Sequence, residues 1–539
     1  MASEVAPGGY LRTVIARNEK FEIIACEWKE GQGSSFHDHG LSQCWVTVES
    51  GVFENVAEWA GTRQSAAFSV GQVISTPLGA RHAMRCLSGS GKTLHVYSPP
   101  LQKSVAGETR SEAPRPDLAL RDHGLAWAEV EALAWQIQEA SVPTRSPEFM
   151  NQLFSGLHPE ALLASRLAAE TRTTLATLEA SPVLSRIETE VVQALGKEIG
   201  WELSRRGGLA VPGGSAANFM ALHLARYRKS PETKKAGVLL GPAFAVFTSD
   251  QSHYSIQKAC AVLGLGTDAV RRIPSDPQGR MIPEALESSI AESRAAGQTP
   301  LAVIATAGTT VLGAFDPLDE IAPICRKSGV WLHVDAAWGG PAIFSHRLKN
   351  QIQGIDQADS VTFDAHKLLG ATLTSSFFLT PHPKLLLEAN DVSGADYLFH
   401  GDVDLGRASW QCGRGPDALG LWMLWKSRGV EGFSRQIDHL LEVRDEVMPW
   451  ISDQPRLRWV ARPDYLNLCI QVLPPIGSEA LASDWSIRVR TRLRDSSKAW
   501  VNFSRTATGE SFLRMILVHP SIEARHVLEI LAAALEVVE

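Results

Sequence analysis

Residues 360–367 read Ser360-Val361-Thr362-Phe363-Asp364-Ala365-His366-Lys367. An apolar run enters this stretch, which predicts a buried strand ending at His366-Lys367. A lysine at the end of a buried strand is costly to keep as an ammonium unless it is partnered or used. Upstream, Val330-Trp331-Leu332 opens a second apolar strand that runs through His333-Val334-Asp335-Ala336-Ala337-Trp338. Two core strands therefore end in a lysine and a carboxylate.

That pair suits pyridoxal 5'-phosphate (PLP): Lys367 as the Schiff-base lysine, and Asp335 as the acid facing the pyridinium nitrogen. The neighbouring sequence alternates strands with helices. Phe244 to Thr248, Leu301 to Ala305, 330–335, 360–365 and Ser375 to Thr380 read as strands. Ser255 to Leu263, Pro283 to Ala296 and Leu318 to Ser328 read as helices. Continuous apolar strands separated by helices predict a largely parallel sheet buried on both faces. Cofactors in such sheets sit at the carboxyl ends of the strands, where Asp335 and Lys367 lie. Pro212-Gly213-Gly214-Ser215-Ala216-Ala217-Asn218 precedes an apolar helix, Phe219 to Tyr227. Glycines leading into a helix start form an anion site from backbone N–H groups, so the cofactor phosphate is assigned there. Ser252-His253-Tyr254-Ser255 follows a strand and is expected to set His253 over the cofactor ring. Further upstream, helical periodicity covers Ala126 to Gln138, Pro159 to Leu178 and Ser185 to Trp201.

The chain up to about Pro100 has a different pattern, of short strands separated by glycine turns. Phe21 to Trp28 is strand-like, and Gln43 to Val48 with Val52 to Trp59 reads as a hairpin around Glu49-Ser50-Gly51. Strands at this spacing suggest a barrel or jelly roll. Within them lies Gly33-Ser34-Ser35-Phe36-His37-Asp38-His39. Residues two apart on a strand face the same way, so His37 and His39 can point together, and His82 can join them from a facing strand. Three neutral imidazoles suit Fe, Zn or Cu and leave coordination positions open. Residues 102–116 (QKSVAGETRSEAPRP) read as a polar interdomain linker.

The composition narrows the alternatives. With a net charge of -7 and no basic block, nucleic acid is an unsuitable partner. The seven cysteines are scattered, odd in number and form no CxxC, which fits a reducing compartment. No run approaches the roughly 18 apolar residues that span a bilayer, so a cytoplasmic protein without a membrane partner is expected.

Two family resemblances follow from these motifs. The text GSSFHDHGLSQCWVTVESGVFENVAEW, PLGARHAM and LHVYSPP resembles cysteine dioxygenase, a cupin. The resemblance implies an Fe(II) site on His37, His39 and His82, and a thioether-linked pair of Cys44 and Tyr97. It makes His95 the residue holding that tyrosine and Arg12 the one gripping a substrate carboxylate, in a position that favours cysteine. The N-terminal lead is shorter than in animal members, and the pattern stops soon after Pro100. From about Ser146 to the C-terminus the chain resembles the group II PLP decarboxylases, nearest the glutamate and cysteine sulfinate branch. FMNQLFSGLHPEAL, VPGGSAANF, FTSDQSHYSIQKA, ATAGTTVLGAFDPL, WLHVDAAWGG, DSVTFDAHKLLG, YLF and QCGRGPDALGLWMLWKSRG carry the match. It implies cofactor contacts from Lys367, Asp335, His253, Gly214, Ser215, Ala216, Ala337 and Thr309, and substrate contacts from Gln152 and Arg514. It also implies a homodimer. Three departures stand out. Ala217 replaces a frequent phosphate-binding serine. Gly401 to Trp410 is short and lacks the loop tyrosine that serves as an acid, leaving His253 or His366 for that role. Asp364 replaces the common asparagine.

The expectation is a multidomain chain. Residues 1–100 form an all-β cupin barrel, and 101–120 the linker. Residues 121–425 form an α/β domain of fold type I PLP enzymes, and 426–539 a small C-terminal α+β domain. The expected function is two consecutive steps, from cysteine to cysteine sulfinate and then to hypotaurine. Two alternatives remain open: a decarboxylase of cysteate or aspartate with a non-catalytic regulatory cupin, and a decarboxylation-dependent oxidative deaminase.

Overall fold

The structure, a computed structural model, describes residues 3–5, 9–18, 21–34, 43–59, 62–76, 81–98, 116–120, 122–239, 241–392, 394–395, 397–400, 404–475, 482–506 and 508–537. It divides into two compact units, Met1–Glu108 and Thr109–Glu539.

The first unit contains two antiparallel sheets. One runs in the order Ser3–Val5, Leu11–Arg17, Glu22–Lys29, Ser90–Ser98, Gln43–Ser50, Val73–Thr76. The other is Thr62–Ser69, Val52–Trp59, Arg81–Cys86. Alternate residues of both sheets, among them Ile24, Cys26, Trp28, Val46, Phe53 and Met84, share one apolar cluster. The expected hairpin of Gln43–Ser50 with Val52–Trp59 does not form, because these strands belong to different sheets. The chain crosses between them at Gly51, whose φ of +88° favours glycine. A Cβ there would come within 2.7 Å of Ser90 O.

The second unit is built on a seven-stranded sheet. Its order is Gly207–Val211, Ser376–Thr380, Ser360–Asp364, Trp331–Ala336, Thr299–Thr306, Phe244–Ser249, Val270–Ile273. The last five strands run parallel, whereas Ser376–Thr380 pairs antiparallel with both its neighbours. Every residue of Trp331–Ala336 and Ser360–Asp364 is buried, as expected for strands covered on both faces. Helix Pro182–Ile199 covers one flank. Proline opens it, left-handed Gly200 closes it, and it buries Leu184, Val191, Val192, Leu195 and Ile199. The helix predicted over 159–178 is shorter, Pro159–Thr171, because the chain turns left-handed at Arg172.

A second sheet joins Phe149–Met150, Trp500–Arg505, Ser511–Ile516, Asn467–Val472 and Leu457–Trp459, with helices Ala482–Asp495 and Ala524–Leu535. The small α+β module thus borrows its edge strand from residues far upstream. The helix Leu419–Asp453 runs across position 426 and is broken only at Gly429, where φ is +62°. Among the described residues no helix is long and apolar enough to cross a membrane.

Candidate active site

Adjacent parallel strands bring the two predicted residues together. Asp335 pairs in register with Thr362, and Lys367 follows Asp364, the last residue of that same strand. Val361 and Phe363 are each 1% exposed. Burying side chains of this size contributes about 2 kcal/mol apiece, which anchors the strand that aims the lysine. At this carboxyl edge lies a cavity of about 190 Å3. Lys367, Asp335, Asp364, His253, Asn218, Gly214, Ser215, Ala337, Thr306, Gly308, Thr310 and Trp338 line it. Six residues assigned from sequence are therefore in its wall: Lys367, Asp335, His253, Gly214, Ser215 and Ala337.

The carboxylate of Asp335 is held by donors. Asn218 Nδ2 donates to Oδ2 at 2.7 Å, and the Ala337 N–H donates to Oδ1 at 3.2 Å. Asn218 is itself fixed. Its Nδ2 reaches Ser255 Oγ at 2.9 Å, while its Oδ1 lies 2.8 Å from Thr362 Oγ1 and 2.9 Å from His333 Nε2. On the far side of His333, Nδ1 is 2.8 Å from Ser360 Oγ, which also accepts from Trp331 Nε1 at 2.9 Å. Asn218 Oδ1 can only accept, so neutral His333 carries its proton on Nε2 and its Nδ1 accepts from the Ser360 hydroxyl. A one-way chain of donors thus runs from Trp331 to Asp335. Complete burial pushes the His333 pKa down to about 4, so the ring is a neutral link. The local sequence gave little sign of this chain. Asn218 belongs to the glycine-rich motif, yet nothing near it in sequence links it to Asp335.

Lys367 Nζ is 3.0 Å from Asp364 Oδ2. The His253 pKa is lowered by burial, against an opposing pull from Asp335. Its Nδ1 accepts the Ser255 N–H at 3.3 Å. His366 lies outside the cavity wall, with its Nδ1 3.1 Å from the Ser375 carbonyl and its Nε2 3.9 Å from Asp364 Oδ2. Ala216 and Thr309 are also behind the wall. Thr309 Oγ1 is fully buried and accepts the Ala314 N–H at 3.0 Å. Arg514 donates to Thr310 O at 3.1 Å and to Asn151 O at 2.9 Å, and its Nε has no partner. It thus reaches the cavity through Thr310. Gln152 is exposed and is not part of the wall.

The residues fit PLP. A primary amine and a carboxylate converge on one cavity, whose floor is the first turn of the helix Gly214–Lys229. N–H groups of a first turn have no acceptor within their own helix.

In the first unit, Cys44 and Tyr97 are directly opposite on antiparallel strands, and their side chains share a hydrogen bond. Burial pushes the Cys44 thiol up to about 12. Tyr97 Oη is 3.1 Å from His95 Nδ1, and Thr93 Oγ1 lies 2.9 Å from His95 Nε2. Arg12 is opposite Cys26 on the next strand, and its charge is felt by both Cys26 and Tyr97. His82 is buried, with Nδ1 2.8 Å from Asn55 Oδ1. His37 and His39 lie outside the described residues. Among the described residues no group of three or more His, Cys, Asp or Glu could hold a metal ion.

Comparison with known proteins bears on the second unit. Residues 112–472 match the pyridoxal-dependent decarboxylase conserved domain. Cysteine sulfinic acid decarboxylase of Mus musculus is 38% identical over 418 residues, covering 75% of this chain and 84% of the mouse protein. Acidic amino acid decarboxylase of Bos taurus is 35% identical over 420 residues, covering 75% and 80%. The crystal structure of mouse CSAD superposes with a TM-score of 0.74 at 36% identity, over 78% of this chain and 89% of that one. The conserved-domain match takes in Lys367, Asp335 and the network that holds them. This chain belongs to the pyridoxal-dependent decarboxylase family.

Proposed function

We propose that this chain decarboxylates cysteine sulfinate to hypotaurine, and that its first unit is an iron-dependent dioxygenase that makes the sulfinate from cysteine. The observation that carries the decarboxylase half is the cavity joining Lys367, Asp335 and the helix start at Gly214. The acidic substrate is supported by the names of two similar proteins, cysteine sulfinic acid decarboxylase and acidic amino acid decarboxylase.

When bound, PLP supplies an electron sink for the electrons left behind by departing CO2. Lys367 would hold the cofactor through its amine. Asp335, aimed by Asn218, would pair with the ring nitrogen, and His253 would lie against the ring. Arg514 is the group for a substrate carboxylate, since a guanidinium fork matches that geometry. Trp338 and Thr310 line the same cavity. His253, in the cavity wall, carries the proton returned to the substrate carbon; His366, behind the wall, does not.

For the first unit, a cupin-type site of His37, His39 and His82 would hold Fe(II), which activates dioxygen toward a thiolate when bound. The described part of the donor set fits. Asn55 accepts from His82 Nδ1, which presents Nε2 as the ligand nitrogen and is the usual outer support of a metal-bound histidine. The paired Cys44 and Tyr97 and the nearby Arg12 charge support a thiol substrate.

The test is mass spectrometry of products formed from cysteine, oxygen, Fe(II) and PLP. Hypotaurine is expected. Accumulated sulfinate alone would refute the second step. Unchanged cysteine, with added sulfinate still decarboxylated, would refute the first and leave the amino-terminal unit a regulatory module. Aldehyde and ammonia in place of amine would identify an oxidative deaminase.

A further inference from the structure

The phosphate end of the cavity contains an anion of its own. Asp364 is 2% exposed and lines the cavity, and its Oδ1 has no hydrogen-bond partner. Its carboxylate sits against the first residue of the helix Gly214–Lys229. A Cβ built on Gly214 would meet Oδ2 at 2.8 Å and Oδ1 at 3.1 Å. The carboxylate therefore lies beside the backbone that offers an anion site.

The charged surroundings of Asp364 are few. On its own turn are Lys367, 3.0 Å from Oδ2, and His366, whose Nε2 is 3.9 Å away. From the segment after Phe244–Ser249 comes His253, which feels the charges of Asp364, Asp335 and Lys367. From Trp331–Ala336 comes Asp335. The helix offers Gly214, Ser215 and Asn218, none of them charged, and the antiparallel partner of Asp364 is Ser376. Among the described residues Lys367 is the one cation close by, and it reaches only Oδ2. A phosphate dianion arriving at Gly214 therefore meets a carboxylate already there, whose Oδ1 has no partner, whether or not Lys367 is later used by the cofactor.

We propose that Asp364 is a built-in competitor for the phosphate end of the cavity. Without cofactor it holds the Lys367 ammonium. A phosphate-bearing ligand binds only together with a proton, which Asp364 accepts so that it faces the phosphate as a neutral hydrogen-bond donor. Binding of the phosphate is thereby coupled to pH. This rests on the reading that the cavity is the PLP site.

The probe is 4'-deoxypyridoxine 5'-phosphate, which lacks the aldehyde and cannot bond to Lys367. Its affinity is measured by calorimetry from pH 6 to 9 for the full-length wild-type chain and for Asp364→Asn. The wild-type affinity should fall by one factor of ten per pH unit more steeply than that of Asp364→Asn. The variant should bind at least ten times tighter at pH 8. Wild-type titrations in two buffers of different ionisation heat should show about one more proton taken up than the variant takes. Equal pH profiles and equal proton uptake would overturn the proposal. The phosphate's own titration cancels in the comparison. Should the amide variant fail to fold, wild-type binding without proton uptake at pH 8 would overturn it alone. A probe that binds neither protein at any pH would instead refute the cavity as the PLP site.

Discussion

Asn218→Ala is the most direct probe of how the site is held. The amide makes four hydrogen bonds inside the protein. The one to the Asp335 carboxylate, at 2.7 Å, is charge-assisted and contributes about 2 kcal/mol net; neutral bonds contribute about 1 kcal/mol each. Not all four are lost outright. Thr362 Oγ1 lies 3.1 Å from His333 Nε2, so these two can satisfy each other once Asn218 Oδ1 is gone. Ser255 Oγ and Asp335 Oδ2 have no such substitute nearby. The expected loss is about 3–4 kcal/mol in the unfolding free energy of the second unit. PLP should also bind at least tenfold more weakly, because Asp335 keeps only its 3.2 Å bond from the Ala337 N–H. The assay is chemical unfolding of the cofactor-free protein, with cofactor titration followed by absorbance. Asn218→Asp separates shape from polarity. It keeps the volume but turns the donor into an acceptor facing another carboxylate, so its cofactor affinity should fall further than in the alanine variant. An alanine variant with unchanged unfolding and unchanged cofactor affinity would refute the claim that this network positions Asp335.

Three other outcomes are expected. His158 and His333 are buried and His223 is half-buried, and all three have pKa values pushed down from 6.5 to about 4, chiefly by desolvation. Their neutral forms stabilise the fold fully above pH 6.5. The unfolded chain binds the extra protons below that, so stability falls between pH 6.5 and 4, on the order of 1.4 kcal/mol per pH unit for each histidine. Asp316 and Asp417, pushed up by burial to about 7 and about 6, take up protons in the folded state over the same range and offset part of this loss. A thermal midpoint flat from pH 6.5 to 5 would still contradict the net fall. Arg414 and Glu188 form an ion pair with both residues at most 5% exposed, and Arg414 also donates to Leu175 O at 3.2 Å and Ala210 O at 3.1 Å. Arg414→Met should cost about 3–5 kcal/mol by stranding a buried carboxylate, and adding Glu188→Leu should recover most of it, as read from urea midpoints. In the first unit, peptide mapping after aerobic incubation with Fe(II) and cysteine should find Cys44 and Tyr97 in one cross-linked peptide. His82→Ala should lose both the cross-link and bound iron; retention of iron would remove His82 from the ligand set.

How much of this was legible in the sequence depended on whether a residue's role was local. Lys367 and Asp335 could be found because each ends an apolar run, and parallel strands bring such ends to one edge. The glycines before the helix at Gly214 were legible for the same reason, since a helix start has a local signature. Asn218 was not, because its role arises from Asp335, Ser255, Thr362 and His333 converging across the sheet, and periodicity carries no record of that. The misread hairpin at Gly51 is the same difficulty on a smaller scale. Two alternating runs around a glycine look alike whether the chain doubles back or steps onto a second sheet. Only the packing of Gly51 against Ser88, Ser90 and Gly91 decides between them. Asp364 lies between these cases. Its place before the lysine was plain, but its meaning required the contact with Gly214, which turns a conservative-looking carboxylate into a charge at the place where an anion should bind.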